Sequence, residues 1–334
     1  MDSASLIIPT YKRVFYIDRI IRSILSQDIS KLKEVIIVDS DSNDGTEELI
    51  KSYGNNKQLT IIYDNVANSV ACKRNRGIEI ATSECLIFID DDCVPLDGFI
   101  TSHLDNCKKS GMRINCGNIY FYEYFVNESN YIRYRNSRHI PYLCSSGMDK
   151  ILDYKSIVTM NMSIRRRDII ENNLFFNEEF IGYGMEDNEF GYRANKIGFN
   201  IVSNSLGIIH LENGDGMDYS KKIYHTARDG VKRFKNVYPE AVEGLAYSFY
   251  FEQDYPHKNV LMRLALKVFR LFFSVNLATI LLHVLLLTDK LKVPFIRVLY
   301  KYAYASYYLK GVKDRHKAYE SLSNVKVNWY GENK

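Results

Sequence analysis

The 334-residue chain is 46% hydrophobic and 25% charged, a composition that excludes an intrinsically disordered protein and allows more than one structural unit. Its formal net charge of +4 is small for a nucleic-acid-binding protein, so we expect no nucleic-acid partner. The apolar segment Leu6–Pro9 near the N-terminus is too short for a signal peptide. We therefore expect a cytoplasmic chain whose cysteines are free thiols.

The first third of the chain alternates short apolar runs with helical patterns. In chain order the segments are SLIIP (5–9), VFYIDRIIRSILSQ (14–27), EVIIVDS (34–40), TEELIKSYG (46–54), LTIIYDN (59–65), CKRNRGIEIAT (72–82) and ECLIFIDDD (84–92). Runs of Ile, Leu and Val that are separated by helices predict an α/β fold with a mostly parallel central sheet. In such sheets ligands bind beyond the carboxyl ends of the strands, where the polar residues of these segments lie.

The middle of the chain is less regular. A Tyr- and Asn-rich stretch, residues 118–142, has no periodicity that assigns it to one element. It is followed by TMNMSIRRRDI (159–169), FIGYGMEDNEFGYRANKIGF (180–199) and NIVSNSLGIIHLEN (200–213). These segments predict a strand, a loop with an amphipathic helix, and a further strand.

The C-terminal region combines an apolar run with basic residues. Residues 271–287 contain no Asp, Glu, Lys or Arg, and as a helix they would be roughly 25 Å long, against a hydrocarbon core about 30 Å thick. Eight Lys or Arg and two Asp follow between Asp289 and Lys317, interleaved with tyrosines. We expect amphipathic helices that lie in one leaflet of a membrane, with a true span and a buried core or oligomer helix as the alternatives.

The segment FIDDDCVP (88–95) places three carboxylates directly after an apolar run. Like charges repel, so the cluster predicts a divalent cation, and Mg²⁺ and Mn²⁺ prefer oxygen ligands. A magnesium ion is commonly shared between a few carboxylates and the phosphate oxygens of a substrate. Helix capping and solvated turn carboxylates are the alternative interpretation of the same residues.

Four segments together resemble the family 2 glycosyltransferases, whose GT-A fold is a nucleotide-sugar-binding α/β sandwich. They are SLIIPTYKR (5–13), VIIVDSDSNDGT (35–46), NSVACKRNRGIEIATSECLIFIDDDCVP (68–95) and TMNMSIRR (159–166). The resemblance implies a metal-dependent inverting enzyme that moves a sugar from a UDP-sugar to a hydroxyl of a glycan acceptor. Asp41 departs from the family, which more often carries a small residue there.

The resemblance implies which residues bind the donor. Thr10 and Tyr11 would begin the nucleotide pocket, and Asp39 would accept the N3–H of uracil. A carboxylate acceptor favours uridine over cytidine, whose N3 cannot donate. Arg74 would meet the base or a phosphate, and Asn161 would also contact the donor.

The resemblance also implies a metal site. Asp90 and Asp92 match the family's D-x-D motif, with Asp90 near the ribose and the metal and Asp92 on the metal itself. Asp91, between them, should point elsewhere because side chains alternate along a strand. His210, at the end of the run GIIH, would complete the shell of Mn²⁺ or Mg²⁺. A lone histidine at a strand end is otherwise more typical of a structural residue.

The segment GYGMEDNEF (182–190) resembles the GWGGED motif of the galactosyltransferase and N-acetylgalactosaminyltransferase branches of the same fold. By that match Asp187 is the catalytic base, and Glu186 contacts the acceptor or the donor sugar. Acidic residues also favour the first turn of a helix on their own, which is the structural alternative. Met185 stands where the motif has glycine.

The resemblance, together with the apolar and basic pattern of the C-terminal region, predicts domains and partners. Residues 1–116 would be the nucleotide-sugar-binding half, 117–240 the acceptor-binding and catalytic half, and 241–334 the membrane-associating region. At the cytoplasmic face of a membrane, such an enzyme would extend a glycan, such as one carried on a polyprenyl diphosphate, in surface polysaccharide biosynthesis. The alternatives are a protein-modifying glycosyltransferase and a non-catalytic membrane-bound nucleotide-sugar-binding protein. A nucleotidyltransferase would need a glycine-rich loop after the first strand, and PTYKRVF has none.

Overall fold

The computed structural model describes residues 2–54, 59–139, 150–212, 214–245, 247–251 and 259–324. The chain forms two units. Unit 1 comprises Met1–Tyr122, His139–Glu178 and Asp187–Glu212, and unit 2 comprises Glu123–Arg138, Glu179–Glu186 and Asn213–Lys334. Both units are discontinuous in sequence, so this division does not follow the predicted boundaries after residues 116 and 240.

Unit 1 is built on a single sheet. Its strands are β1 (Ala4–Pro9), β2 (Leu32–Asp39), β3 (Thr60–Asn65), β4 (Cys85–Ile89), β5 (Cys93–Pro95), β6 (Arg113–Tyr120), β7 (Ile151–Leu152), β8 (Asn161–Arg165) and β9 (Asn200–His210). The order is β3-β2-β1-β4-β8-β6-β9-β5, with β7 paired to β9. The first four strands are all parallel, β6 and β9 are parallel, and β8 runs antiparallel to β4 and β6. The predicted α/β fold is confirmed.

The helices connect these strands and build unit 2. In chain order they are α1 (Val14–Leu25), α2 (Thr46–Tyr53), α3 (Val70–Ile80), α4 (Phe99–Lys108), α5 (Glu123–Glu128), α6 (Asn130–Asn136), α7 (Arg166–Glu171), α8 (Glu186–Lys196), α9 (Gly216–His225), α10 (Val231–Val237), α11 (Ser248–Phe251), α12 (Val260–Leu271), α13 (Val275–Leu287) and α14 (Ile296–Lys313). The segment expected to be a strand at 159–169 is a strand only as far as Arg165, where α7 takes over.

The sheet is buried on both faces, which explains the continuous apolar runs in the sequence. Successive strand side chains point to opposite faces, so Leu6 and Ile8 join one core cluster and Ile7 joins the other. The same alternation separates Ile37 from Ile36 in β2. Because β1, β2 and β4 are parallel, their carboxyl ends lie at one edge of the sheet.

The apolar run 271–287, considered above as one helix, is broken in the structure. Helix α12 ends at Leu271 and α13 begins at Val275, with Ser274 as its N-cap. Among the described residues no single helix has both the length and the apolar composition to cross a membrane. Taken together, α12 and α13 meet both criteria, but the pair bends by 50° at the break.

Unit 2 has its own core and an apolar surface. Tyr134, Leu282, Tyr300 and Tyr304 are buried in one cluster that joins α6, α13 and α14. By contrast, sixteen of the twenty-five large apolar side chains that are exposed in the described part of the chain lie between residues 260 and 298. The surface of unit 2 is therefore far more apolar in this segment than elsewhere.

Candidate active site

The three aspartates after β4 point in different directions. The Thr10 hydroxyl donates to Asp91 Oδ2 at 2.9 Å, whereas Asp90 faces Arg74 and Asp92 faces His210. Asp91 thus turns away from the D-x-D pair, as expected, although the three aspartates lie in the turn between β4 and β5 and strand alternation is not the cause. Burial raises the pKa of Asp91 to about 7, against the opposing effect of the Arg13 cation.

Arg74 bridges two carboxylates of the site. It lies in α3 and is 2% exposed, with Nη1 3.0 Å from Asp187 Oδ1 and Nη2 3.1 Å from Asp90 Oδ1. Its guanidinium also lies over the Phe176 ring, 5.4 Å from the centroid. Burial raises the pKa of Asp90, and the Arg74 charge opposes that shift. The structure therefore places Arg74 between two acidic side chains and gives it the role of holding them in place.

Asp187 lies in the first turn of α8, where a negative charge is favourable. Its side chain is 24% exposed. Besides Arg74, Thr159 holds it through two bonds, with Oγ1 donating to Oδ1 at 2.8 Å and the backbone N–H donating to Oδ2 at 3.2 Å. Glu186, the first residue of the helix, is half-buried. Asp187 is thereby fixed while its carboxylate stays accessible.

The backbone that leads into α8 is left-handed at three of four positions. Gly182, Gly184 and Met185 have φ values of +91°, +85° and +78°. Glycine adopts this conformation freely, but a side chain there costs about 1–2 kcal/mol. This explains why glycine is usual at the position of Met185. Asp41, the other departure noted in the sequence, has φ +51°, a conformation that aspartate tolerates better.

Asp92 and His210 come together because β5 pairs antiparallel with β9, which sets Cys93 opposite His210. Asp92 Oδ1 lies 3.4 Å from His210 Nε2. Within the described residues one group of three or more potential metal ligands is found, formed by Asp92, Cys93 and His210 with ligand atoms within 4.8 Å of one another. Asp90, also expected as a metal ligand, is not in this group, and its carboxylate is paired with Arg74.

The donor atoms of this group suit a hard or borderline cation. Without a metal ion, burial raises the pKa of the Cys93 thiol well above its usual value, and a thiolate is a softer ligand than Mn²⁺ or Mg²⁺ prefers. A carboxylate oxygen with a neutral imidazole fits Mn²⁺ or Mg²⁺. His210 Nδ1 is buried with no hydrogen-bond partner among the described residues, and Glu212 Oε2 lies 3.9 Å from it. A carboxylate behind a ligating histidine is the usual way to orient the ring.

Asp39, at the end of β2, is fully buried. Its Oδ1 accepts from the Ser42 hydroxyl at 2.5 Å, and its Oδ2 accepts from Tyr63 Oη at 2.9 Å and from Ser42 N at 3.3 Å. A carboxylate has about four acceptor positions, so Oδ1 retains capacity for one further donor. The structure thus holds Asp39 rigidly and leaves it able to accept one more bond.

Thr10 and Tyr11 follow β1, beside a buried lysine. Lys73 Nζ donates to the Thr10 carbonyl at 2.7 Å and to Asn68 Oδ1 at 3.1 Å, and lies 5.4 Å from the centre of the Tyr11 ring. Burial lowers the pKa of Lys73 to about 8. Tyr11 itself is half-buried, so its ring is held by Lys73 and still reaches the surface.

Asn161 has a different environment from the one expected. It is fully buried in β8, where Oδ1 accepts from His103 Nε2 at 2.8 Å and Nδ2 donates to the Asn118 carbonyl at 2.8 Å. Ser163 Oγ lies 2.9 Å from the other His103 nitrogen. The expectation that Asn161 binds the donor is not supported by this arrangement, because both ends of its amide are used inside the sheet.

Two residues of the site were not singled out from the sequence. Thr159 precedes β8 and binds Asp187, and Arg13 is buried with Nη1 3.5 Å from Asp92 Oδ2. Both lie within segments that carry the family resemblance, TMNMSIRR and SLIIPTYKR. That was the available signal, but nothing in the sequence shows which side chain each one meets.

Fold and site together define an α/β protein of the GT-A class. The chain belongs to glycosyl transferase family 2, because the profile of the family described as Glycosyl transferase family 2 matches residues 5–174, about half of the chain. Solved structures show the same fold. The mannosyltransferase PcManGT from Pyrobaculum calidifontis, in complex with GDP-Man and Mn²⁺, superposes with a TM-score of 0.55 at 17% identity, covering 93% of this chain and 86% of that one. Staphylococcus aureus TarS in complex with UDP gives 0.51 at 15% identity, covering 94% and 90%.

Curated relatives are similar over part of their length. Glycosyltransferase AglE from Haloferax volcanii is 30% identical over 35% of this chain and 39% of its own length. The uncharacterized glycosyltransferase YfnE from Bacillus subtilis is 25% identical over 58% and 61%. The GalNAc(5)-diNAcBac-PP-undecaprenol β-1,3-glucosyltransferase from Campylobacter jejuni is 26% identical over 35% and 38%. The chain thus spans between about two-fifths and three-fifths of the length of these relatives.

Proposed function

We propose that the chain is a metal-dependent inverting glycosyltransferase that moves a sugar from a UDP-sugar to a hydroxyl of a lipid-linked glycan acceptor. The observation that carries the proposal is the set of contacts beyond the carboxyl end of β4. There Arg74 joins Asp90 to Asp187 at 3.1 and 3.0 Å, and Asp92 meets His210 at 3.4 Å. A base and a pair of metal ligands within one sheet edge are what sugar transfer from a nucleotide requires.

Asp187 is the residue we assign as the general base. It removes the proton from the acceptor hydroxyl as that oxygen attacks the anomeric carbon, and a direct displacement inverts the configuration there. Arg74 and the Thr159 hydroxyl both bind Oδ1, whereas Oδ2 accepts a single bond from Thr159 N. Oδ2 is therefore the oxygen better able to accept the proton. Glu186, one residue earlier, is assigned to contact with a sugar.

Asp92 and His210 are the residues that would hold Mn²⁺ or Mg²⁺. When bound, the ion supplies positive charge that stabilises the diphosphate as it leaves. Arg13, buried 3.5 Å from Asp92, adds a fixed cation of this chain to the same corner. The bound ion and Arg13 would together supply the positive charge that faces the donor's phosphates.

The base of the donor is assigned to Asp39. The uracil N3–H would donate to Oδ1, the oxygen that retains acceptor capacity, with Tyr11 and Thr10 at the neighbouring end of β1. Cytosine has no hydrogen at N3 and is disfavoured. Guanine does carry a ring N–H, and the mannosyltransferase neighbour is bound to GDP-Man, so GDP-sugars are the competing donors that an experiment has to include.

A donor panel tests the assignment of activity. The purified chain with Mn²⁺ is incubated with UDP-glucose, UDP-galactose, their N-acetyl derivatives and GDP-mannose, and nucleotide release is measured with and without EDTA. We expect metal-dependent release of UDP from at least one UDP-sugar. Release of GDP alone would transfer the proposal to a GDP-sugar donor. Binding of UDP without any release would favour a nucleotide-sugar-binding protein that is not an enzyme.

We further propose that unit 2 binds the cytoplasmic face of a membrane through α12, α13 and the turn after them. Leu271, Leu287 and Phe295 are exposed by 82%, 85% and 81%, and residues 259–288 include no Asp or Glu. Exposed cations lie among these side chains, at Lys267, Lys290, Lys292 and Arg297. An apolar surface flanked by cations suits the interface of an anionic bilayer. An acceptor on a polyprenyl diphosphate would lie at the same interface.

Vesicle binding tests the membrane proposal. Co-sedimentation with vesicles of phosphatidylglycerol and phosphatidylcholine is compared for the wild type, Leu271→Gln with Leu287→Gln, and Phe15→Gln as the control. Phe15 is 64% exposed in unit 1, so its replacement removes exposed apolar area away from the proposed surface. Burying an exposed leucine side chain in the bilayer would contribute about 1.5–3 kcal/mol. We therefore expect the double variant to bind vesicles at least about tenfold more weakly. Equal binding of all three chains would exclude this surface.

A further inference from the structure

A single π-helical turn, Thr226–Gly230, interrupts the helix formed by α9 and α10. Turns of this kind are rare and frequently lie at functional sites. Four of its five residues, Ala227 to Gly230, are buried. The roles assigned so far to the candidate active site do not account for this turn.

The turn packs directly against the loop that carries the GYGMED motif. A Cβ added to Gly230 would lie 2.2 Å from the Gly184 carbonyl oxygen and 3.0 Å from Met185 Cγ. A Cβ added to Gly184 would lie 2.7 Å from Thr226 Oγ1. Real Cβ atoms do not approach other atoms so closely, so both glycines are required for the loop and the turn to touch.

The turn also contacts the end of α14 and the segment after it. A Cβ on Gly311 would lie 2.4 Å from the Tyr224 carbonyl oxygen, so α14 is also in close contact. Arg315 Nε donates to the Ala227 carbonyl at 3.1 Å. The turn is therefore in contact with α14 and the segment after it as well as with the loop.

A buried ion pair within the turn adds to its rigidity. Arg228 binds Asp229 through both carboxylate oxygens, with Nε to Oδ1 at 2.7 Å and Nη2 to Oδ2 at 2.8 Å. The Tyr319 backbone N–H donates to Asp229 Oδ1 at 3.3 Å, and the Tyr319 ring lies 4.5 Å from the Arg228 guanidinium carbon. Bidentate pairs of this kind fix both side chains in one geometry.

Met185 links the turn to the start of α8. It holds a left-handed backbone with φ +78°, which a methionine adopts only when its surroundings impose it. Its side chain is buried, at 7% exposure, and lies beside Gly230. The next residue is Glu186, the first of α8. Burial of this side chain beside Gly230 is a packing interaction that favours the left-handed backbone of Met185.

We propose that the π-helical turn Thr226–Gly230 is a positioning element that fixes the loop Gly182–Met185 and thereby sets where Glu186 stands. Gly230 has no side chain and so leaves room for the Gly184 carbonyl. The Met185 side chain packs against the turn and anchors the loop. The catalytic part of this inference rests on the proposed function. A displacement of about 1 Å at reacting groups can lower a rate about 100-fold, so an element that fixes this loop controls turnover without touching substrate.

Gly230→Ala tests the element, with Gly216→Ala as the matched control. Gly216 lies in the same unit, and a Cβ there would meet Tyr300 Cε1 at 3.1 Å, away from the loop. We expect Gly230→Ala to lower kcat about 10- to 100-fold with KM for the donor and the affinity for UDP unchanged, and to speed amide hydrogen exchange at residues 182–187. Gly216→Ala should leave kcat and that exchange at their wild-type values.

The outcomes separate this inference from the proposed function. If kcat or the exchange of residues 182–187 in Gly230→Ala equals that of the wild type, the positioning role is wrong. If the wild-type chain releases no nucleotide from any donor, the proposed function is wrong, and the exchange measurement alone still decides whether the turn holds the loop.

Substitutions of Met185 provide a second test, because an anchoring side chain and a merely tolerated one predict different values of kcat for Met185→Gly. If its side chain anchors the loop, Met185→Gly lowers kcat about tenfold although the backbone is relaxed, and Met185→Leu, which keeps the buried volume, restores most of the rate. If the methionine is merely tolerated, Met185→Gly retains the wild-type kcat and raises the melting temperature. The second result would overturn the anchoring role.

Discussion

Two regions of the molecule hold side chains in environments that are unfavourable for them. One is the carboxyl edge of the sheet in unit 1, and the other is formed by helices α12 and α13 in unit 2. At the sheet edge, charges are buried, and Arg74 shares its guanidinium between Asp90 and Asp187. On α12 and α13, apolar side chains such as Leu271 and Leu287 are exposed. A buried charge is satisfied by a partner within the chain, whereas a large exposed apolar surface calls for a partner outside it.

The largest effect is expected at the sheet edge. If Asp187 is the base, Asp187→Asn should lower kcat by about 10²–10⁴, the usual contribution of a positioned base. UDP affinity should be kept, because the nucleotide is assigned to other residues. Nucleotide release and calorimetry measure the two quantities. Asp218→Asn is a matched control, since Asp218 also lies in the first turn of a helix, α9. Turnover at the wild-type rate in Asp187→Asn would show that these carboxylates are structural.

A second prediction concerns His103, which is buried in unit 1. It tests whether this histidine is uncharged in the folded protein and thereby makes stability depend on pH. Burial lowers the pKa of His103 to about 4 from 6.5. As the pH falls from 6.5 to 4, the His103 imidazole becomes protonated in the unfolded chain but stays neutral in the folded chain. The free energy of unfolding should therefore fall by about 3 kcal/mol over that range. Above pH 6.5 this contribution is constant.

Urea unfolding at several pH values measures that loss. His103→Gln should be less stable at neutral pH and should lack this part of the acid dependence, whereas His283→Gln, at an exposed histidine, should retain it. Parallel pH profiles for the wild type and His103→Gln would mean that the buried network of His103, Asn161 and Ser163 does not control stability in acid.

A third prediction concerns the metal ligands. Replacing even an outer partner of a metal ligand commonly lowers affinity about 10- to 100-fold, so Asp92→Asn should weaken UDP binding in the presence of Mn²⁺ by at least about tenfold. Binding without metal should change little. Calorimetry with and without Mn²⁺ compares this variant with Asp97→Asn, an exposed aspartate nearby in sequence. An unchanged Mn²⁺ effect would remove Asp92 from the metal site.

The smallest effect is expected at the apolar surface of unit 2. Each cation near an anionic bilayer contributes about 1 kcal/mol, and salt at about 1 M screens charges beyond about 3 Å. Lys290→Gln should therefore weaken vesicle binding about fivefold at low salt and have little effect at high salt. Sedimentation at the two ionic strengths measures this difference, with Lys109→Gln in unit 1 as the control. A loss that does not depend on salt would point to apolar contact alone.

Much of unit 1 was predictable because its signals are local. The Ile- and Val-rich runs at 5–9 and 34–40 place β1 and β2 within a few residues of their observed bounds, since a strand covered on both faces must be apolar throughout. The expectation that Asp91 points away from Asp90 and Asp92 was met, but the argument from strand alternation does not hold, because all three lie in the turn between β4 and β5. The convergence of Pro9, Asp39 and Ile89 at one edge followed from the parallel order of their strands.

Other parts of the site were not predictable because they depend on distant pairs. Arg74 and Asp187 are separated by 113 positions in the chain, and the amide of Asn161 turned inward because His103 and Asn118 lie within reach. The contact between Gly230 and Gly184 likewise has no signal in either segment. The break of the apolar run at 272–274 contains neither proline nor glycine, and Ser274, the N-cap of α13, was the sequence signal available there.

The amino-acid sequence by itself determined the α/β fold, the family, and the acidic, glycine-containing segments that make up the candidate site, because periodicity and short motifs are properties of neighbouring residues. Only the tertiary structure decided that Arg74 joins Asp90 to Asp187, that Asp92 meets His210, and that a π-helical turn lies against the loop before Glu186. These are contacts between segments far apart in the chain, and they exist only once the sheet and the helices have packed.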